Sequence, residues 1–145
     1  MIKKLIYIII ILPFFSYGAG SSCAVVGASM EQYLFDSVVH DLNIDGAVIQ
    51  RKKTKVQVIN TSPVSELFAE QLAKTDGNVD KNKKALLKEG DYFESYYTNG
   101  AKTITAKYVY FNNKNKKNVF IASSIMNNDE CSVRFNGYLT LSREF

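Results

Sequence analysis

Residues 91–111, DYFESYYTNGAKTITAKYVYF, contain the signal that decides the predicted fold. Two runs rich in aromatic and β-branched side chains flank the dipeptide Asn99-Gly100. Asn-Gly accepts the positive φ angles of a type I′ turn, which joins two antiparallel strands because its twist matches theirs. The stretch therefore predicts a β-hairpin, with one strand on each side of residues 99–100.

The sequence after this stretch predicts that antiparallel pairing continues. Two further runs favour strands, VFIASSIM (119–126) and CSVRFNGYLTLSREF (131–145). They are bounded by the polar segments NNKNKKN (112–118) and NNDE (127–130), which are typical of turns. Gly137 lies inside the last run, where an isolated glycine indicates a bulge. The last third is therefore predicted to be an antiparallel β-meander.

Before the meander, helical patterns dominate. SMEQYLFDSVVHDLN (29–43) begins with a capping box of Ser29 and Gln32 and predicts a helix over 30–42. SPVSELFAEQLAKTDG (62–77) predicts a second helix, which Ser62 caps and Gly77 ends. DKNKKALLKEG (80–90) predicts a shorter third helix.

Between the first two helices, AVIQRKKTKVQVIN (47–60) predicts either one bent edge strand or a small hairpin. The fold class is therefore α+β, with N-terminal helices packed on a C-terminal antiparallel β-meander.

The first residues have the pattern of a secretory signal peptide. Lys3 and Lys4 precede an apolar core, Leu5 to Phe15, and small residues follow. The apolar core is eleven residues long, whereas a membrane-spanning helix needs roughly twenty, so a stable membrane anchor is not expected. We predict a signal peptide over 1–18, cleaved after Gly18 to Gly20, and a single domain over 19–145. In a Gram-negative bacterium the product is periplasmic.

The chain has two cysteines, Cys23 and Cys131. An even cysteine count in an exported protein suggests a disulfide, and two cysteines allow one pairing. Two alternatives remain open: free thiols at both positions, or lipidation of Cys23. Lipidation fits less well because Gly20 stands where a lipobox has an aliphatic residue.

Composition argues against several functions. The net charge is +4, and two of those charges leave with the leader, so nucleic acid is not an expected partner. His40 is the only histidine, with Asp36 one helical turn away, but no nucleophile elbow accompanies it. No zinc, calcium or phosphate-loop spacing occurs. We therefore expect no cofactor, no metal and no catalytic residues.

Two features suggest binding to another protein. On a strand, Tyr92, Glu94 and Tyr96 would share one exposed face, and tyrosine is favoured at interfaces. The turn that contains Asp129 and Glu130 is acidic and could dock into a cationic cleft of a partner. The alternatives are ordinary sheet packing for the tyrosines and a solubilising turn for the two acids.

In length, leader, cysteine number and charge, the chain resembles the small periplasmic bacteriocin immunity proteins, such as that for the muramidase pesticin. This resemblance rests on no specific motif, and no family residue can be matched. It implies a protein that binds a wall-degrading toxin and blocks its cleft without chemistry of its own. An accessory subunit of a secretion, pilus or conjugation system is the alternative, and an exported enzyme is a third. The oligomeric state is left open.

Overall fold

A computed structural model describes residues 19–83 and 87–145 of the chain. The predicted signal peptide, residues 1–18, lies outside the described residues. The elements in chain order are α1 (Ser29–Asp41), β1 (Lys55–Pro63), α2 (Glu66–Lys83), α3 (Glu89–Tyr97), β2 (Lys102–Phe111), β3 (Lys117–Met126) and β4 (Arg134–Arg143). Three short 3-10 turns, Ala19–Ala24, Gly46–Val48 and Arg51–Lys53, precede β1.

The four strands form one antiparallel sheet in the order β1-β2-β3-β4. Helices α2 and α3 belong to the connection between β1 and β2 and pack on each other as a helical hairpin. The predicted α+β class and the meander of three consecutive strands are confirmed. The predicted bulge is confirmed too, because the β3–β4 register shifts where Ser123 faces Gly137 and Ser124 faces Phe135.

Helix α1 covers one face of the sheet and creates the main core. Met30, Leu34 and Val38 recur at helical spacing and are buried against the sheet. The side chains that they cover alternate along the strands, among them Ile104, Ala106, Tyr108, Tyr110, Phe120 and Ala122. The predicted helix over 30–42 is thus confirmed to within one residue at each end.

Helix α1 carries a buried carboxylate on the side that faces the sheet. Glu31 is completely buried and forms an ion pair with Arg51. Its carboxylate also accepts the Gly27 backbone N–H at 2.9 Å and the Tyr110 hydroxyl at 3.0 Å. Glu31 therefore satisfies the Gly27 N–H just before α1. Ser29 was expected to cap this helix, but no side chain forms a capping hydrogen bond there.

The prediction of a strand over residues 91–98 is wrong, because residues 89–97 form α3. The Asp91 carboxylate accepts the Lys88 backbone N–H at 2.8 Å and stabilises the first turn. Asn99 and Gly100 do have positive φ angles, 54° and 69°. The turn that they form, however, joins a helix to β2 instead of joining two strands.

Other predicted boundaries also moved. Ser62 and Pro63 belong to β1, and α2 begins later, where the Ser65 hydroxyl accepts the Phe68 N–H at 3.4 Å. Gly77 lies inside α2, where it allows the Glu89 backbone to approach: a Cβ at Gly77 would lie 3.2 Å from Glu89 Cα. Ala47 and Val48 belong to a 3-10 turn and Ile49 forms only an isolated bridge with Asn112, so β1 is a single strand that starts at Lys55.

Candidate binding surface

The turn between β3 and β4 contains Asp129 and Glu130, the two acidic residues that were predicted to bind a partner. Hydrogen bonds within the turn hold its shape. The Asn127 side-chain oxygen accepts the backbone N–H groups of Asp129 at 2.9 Å and Glu130 at 2.8 Å. The Asn127 N–H in turn donates to the Glu130 carbonyl at 3.0 Å. Asparagine often organises a turn in this way because its short side chain reaches backbone donors two or three residues ahead. The turn therefore presents Asp129 and Glu130 in one defined conformation.

The turn is also held by the segment before β2. The Asn99 side-chain amide donates to Asp129 Oδ2 at 2.5 Å, and the Asn128 N–H donates to the Asn99 carbonyl at 3.0 Å. Gly100 makes this contact possible, because a Cβ at that position would lie 2.9 Å from the Asn128 side chain. Two loops far apart in sequence therefore support each other.

A disulfide fixes the end of the same turn. Cys131 is bonded to Cys23, with the Cα atoms 4.8 Å apart and a separation of 108 in the sequence. The predicted pairing is thus confirmed, and it excludes free thiols at these positions. The bond ties the turn to the 3-10 segment before α1, so the acidic turn is held at three points.

The surface of this turn is charged and accessible. Asp129 and Glu130 are exposed. Beside them lies a depression of about 270 Å³, lined by residues of both loops and by the disulfide. Lys102 is the basic residue at its edge. We name the residues Asn127–Cys131 the acidic turn. Because the backbone of the turn is already fixed, its carboxylates can pair with cations of a partner without the entropy cost of ordering the loop.

The structure does not support an exposed stripe of Tyr92, Glu94 and Tyr96. On a helix, residues four apart share a face, so Tyr92 and Tyr96 lie together, with ring centroids 5.8 Å apart. Both pack in a second core, where the helical hairpin meets the sheet around Ile125, and Tyr96 is only 4% exposed. Glu94 is exposed on a different side of α3. The expectation of a common strand face is therefore wrong, and the two tyrosine rings belong to the packing of the hairpin.

Sequence reasoning missed an ion pair that fastens the helical hairpin to the sheet. Arg134 of β4 donates to both carboxylate oxygens of Asp76 in α2, Nε to Oδ2 at 2.6 Å and Nη2 to Oδ1 at 3.1 Å. The Tyr96 hydroxyl donates to the same carboxylate at 2.9 Å. One feature of the sequence could have indicated this ion pair. Asp76 lies on the same buried face of α2 as Ala69 and Ala73, where an apolar residue is expected.

The charges of this cluster affect one another. The hydrogen bonds from Arg134 and, to a lesser extent, Tyr96 hold the pKa of Asp76 below its ordinary value, against the opposing effect of burial. Burial, and then the Asp76 carboxylate, raise the pKa of Tyr96. Tyr96 therefore keeps its proton and remains a donor at neutral pH. The cluster connects α2, α3 and β4 through one carboxylate.

His40 lies at the end of α1, with its side chain 89% exposed. Its Nδ1 is 2.9 Å from Asp41 Oδ1, and this contact is the main reason why the pKa of Asp41 is lowered. Asp41 also accepts the Tyr138 hydroxyl at 3.2 Å. The histidine therefore lies beside a carboxylate on an open surface.

Within the two described ranges, no cluster of three or more His, Cys, Asp or Glu side chains is arranged to hold a metal ion. None of the helices in that part of the chain is both long and apolar enough to cross a membrane. No protein-family model, no curated protein and no solved structure matches this chain.

Proposed function

We propose that the chain is an exported immunity protein that binds a cell-wall-degrading toxin and blocks it without chemistry of its own. The observation that carries the proposal is the acidic turn, whose backbone is held by Asn127 and by the Cys23–Cys131 disulfide and whose Asp129 carboxylate is held by Asn99, with Glu130 exposed beside it. A rigid, preformed binding loop loses little conformational entropy on association, which favours tight binding.

Charge indicates the kind of surface that the acidic turn fits. A muramidase acts on a wall polymer that carries carboxylates, so its cleft must tolerate or attract negative charge. Asp129 and Glu130 can place carboxylates in such a cleft, and the protein lacks the glycosidic bond that the enzyme cleaves. Electrostatic complementarity of this kind raises the association rate and selects the partner. A lysozyme-like muramidase is therefore the class of toxin that we favour.

The proposal is tested in the bacterium that carries the gene. A deletion strain should become sensitive to a co-encoded wall hydrolase, and only a copy with the leader should restore protection. The double variant Asp129→Asn/Glu130→Gln should restore at least tenfold less protection, with an unchanged melting temperature, because both side chains keep their size and Asn can still accept from Asn99.

The matched control removes two exposed carboxylates elsewhere, Glu70→Gln/Glu89→Gln. This variant should protect as the unmodified protein does. Equal protection by both double variants would exclude the acidic turn as the binding site. Full resistance of the deletion strain to the co-encoded hydrolase would exclude the immunity function itself.

A further inference from the structure

The face of the sheet opposite α1 is only partly covered. Helices α2 and α3 pack against one end of it, around Ile125, while the other half faces solvent. We name this half the open face. It is defined by side chains that alternate with the core positions and are paired across the strands: Lys55, Lys107, Val109, Phe111, Val119, Ile121 and Leu139.

The centre of the open face is apolar. Leu139 is 66% exposed and is paired with Ile121 on the neighbouring strand. These two residues line a groove of about 320 Å³, together with Thr105, Ser123 and Gly137. Gly137 leaves one wall of the groove low, since no atom lies within 4 Å of where its Cβ would be. An apolar groove of this kind exposed on a sheet is typical of an interaction site.

The charges around this groove have one sign. None of the four strands contains an aspartate or a glutamate. Lys55 and Lys107 are diagonal neighbours on the open face, and neither forms an ion pair with a described residue. Lys55 Nζ lies 5.8 Å from the centre of the Phe111 ring, which places this cation directly over the apolar surface.

Two other charged side chains near the face already have partners, whereas the exposed Lys117 side chain, opposite Phe111, forms no ion pair with a described residue. Arg134 is held by Asp76 at the covered end. At the opposite end, Glu144 accepts the Lys117 backbone N–H at 2.7 Å. The apolar groove and the two lysines thus form a surface whose complement is apolar and negatively charged.

We propose that the open face binds an acidic amphipathic segment of a protein partner. Apolar side chains of that segment cover Ile121 and Leu139, and its carboxylates pair with Lys55 and Lys107. The open face shares no residue with the acidic turn, so the protein has two surfaces of opposite charge. This second surface does not depend on the proposed immunity function.

The test uses the mature protein, residues 19–145, and a synthetic amphipathic helix of leucine and glutamate as the probe. A helix with lysine in place of glutamate is the peptide control. The acidic peptide should bind and should shift the NMR signals of Lys107, Ile121 and Leu139. High salt should weaken the binding because it screens the two lysines.

Two variants locate the site. Lys55→Gln/Lys107→Gln and, separately, Leu139→Ser should each weaken acidic-peptide binding about tenfold or more. The matched control is Lys52→Gln/Lys53→Gln, which removes two exposed lysines outside the sheet and should bind as the unmodified protein does. Thermal unfolding of each variant establishes that it is folded.

Other occupants give different results. Binding to phosphatidylglycerol vesicles without binding to the acidic peptide would replace the proposal with a lipid surface. Self-association in sedimentation equilibrium that Leu139→Ser abolishes would replace it with a second copy of the chain. Absence of peptide binding, or equal binding by the lysine peptide or by the Lys55/Lys107 double variant, would overturn it.

Discussion

At the residue scale, two carboxylates hold together elements that are distant in sequence. Asp76 accepts three hydrogen bonds from Arg134 and Tyr96 and joins the helical hairpin to β4. Glu31 accepts from Arg51, Gly27 and Tyr110 and joins α1 to the sheet and to the turn before β1. Charged groups with so little access to water are stable only when they are paired. Changing either carboxylate should therefore have a large effect on the free energy of unfolding.

Replacing Asp76 with asparagine should lower the free energy of unfolding by about 1–3 kcal/mol at pH 7, because hydrogen bonds to a charged partner are lost. The folded-state pKa of Asp76 is lowered. Its contribution is therefore complete above the unfolded pKa, near 3.9, and is lost as the pH falls through the folded pKa. Denaturant titrations between pH 7 and pH 2 should show the difference between unmodified protein and Asp76→Asn shrinking below about pH 4.

Glu70→Gln is the control for this titration, because Glu70 is an exposed carboxylate on the same helix. It should stay within about 0.5 kcal/mol of the unmodified protein. A difference for Asp76→Asn that does not change down to pH 2 would show that Asp76 contributes through its shape and not through its charge.

Replacing Glu31 with glutamine should destabilise the protein by about 3–5 kcal/mol, since Arg51 loses its ion-pair partner and the buried site keeps its polar groups. Guanidinium unfolding monitored by circular dichroism gives the value. Asp36→Asn on the same helix is the control, because Asp36 is exposed and its partner Gln32 is exposed too. Similar losses for both variants would argue against a special role for the buried carboxylate.

At the element scale, the helical hairpin shows how a glycine can be misinterpreted. Gly77, and Gly90 at the end of the helix predicted over 80–90, suggested helix ends, yet Gly77 lies inside α2 and Gly90 is the second residue of α3. Gly77 leaves room for the close approach of α3, because a Cβ there would meet the Glu89 backbone. At Gly90, by contrast, no atom lies within 4 Å of where a Cβ would be. A glycine that permits close packing and a glycine that ends a helix look the same in a single sequence.

Gly90→Ala should raise the free energy of unfolding by about 0.5–1 kcal/mol, because alanine favours a helix and nothing obstructs its Cβ. Gly77→Leu should lower it, since the Glu89 backbone occupies the space that the side chain needs. Thermal unfolding of the two single variants measures both effects. Stabilisation by both substitutions would show that the hairpin can open without cost.

The disulfide acts at the same scale, since it ties the segment before α1 to the turn after β3. The double variant Cys23→Ser/Cys131→Ser should lose up to about 4–5 kcal/mol, the value for a loop of this length in the chain-entropy model. Its melting temperature should no longer respond to reducing agent, whereas that of the unmodified protein should fall. An equal response of both proteins would mean that the bond is not formed in solution.

At the scale of the whole molecule, the opposite charges of its two surfaces are the main feature. The acidic turn presents Asp129 and Glu130, while the open face presents Lys55 and Lys107 on strands without any acidic residue. Between them, one disulfide and the paired carboxylates of Glu31 and Asp76 connect the elements of the scaffold. The two proposals together predict that a cationic partner and an acidic partner bind to separate surfaces.

Export is a prediction about the whole chain, and its test is the mass of the protein recovered from the periplasm. The intact mass should show that residues 1–18 to 1–20 are absent, because small residues at 18–20 suit signal peptidase. Alkylation without prior reduction should add nothing, because Cys23 and Cys131 are bonded. Recovery of the full-length chain, or of a lipid-modified Cys23, would contradict the predicted processing.

Local patterns were sufficient for part of the structure. The α1 stripe, the strands after residue 101, the turn conformations at Asn99 and Gly100, and the bulge at Gly137 follow from periodicity and backbone freedom. The pairing of the cysteines needed no geometry, because two cysteines in an oxidised chain have one partner each. Asp129 and Glu130 were also found correctly as an exposed acidic turn, since polar residues between strands lie at the surface.

Only the tertiary structure decided that residues 89–97 form a helix, that Tyr96 is buried and that Asp76 pairs with Arg134. Strand preference measures how well side chains fit a half-buried pleated surface, and it depends on the neighbouring elements. The aromatic run 91–98 was therefore compatible with a strand or a helix, and packing against α2 selected the helix. The ion pair joins residues 58 positions apart, and no local pattern links them. The sequence by itself determined which segments could form strands and turns, whereas packing between distant segments determined which side chains were buried and which were left to bind.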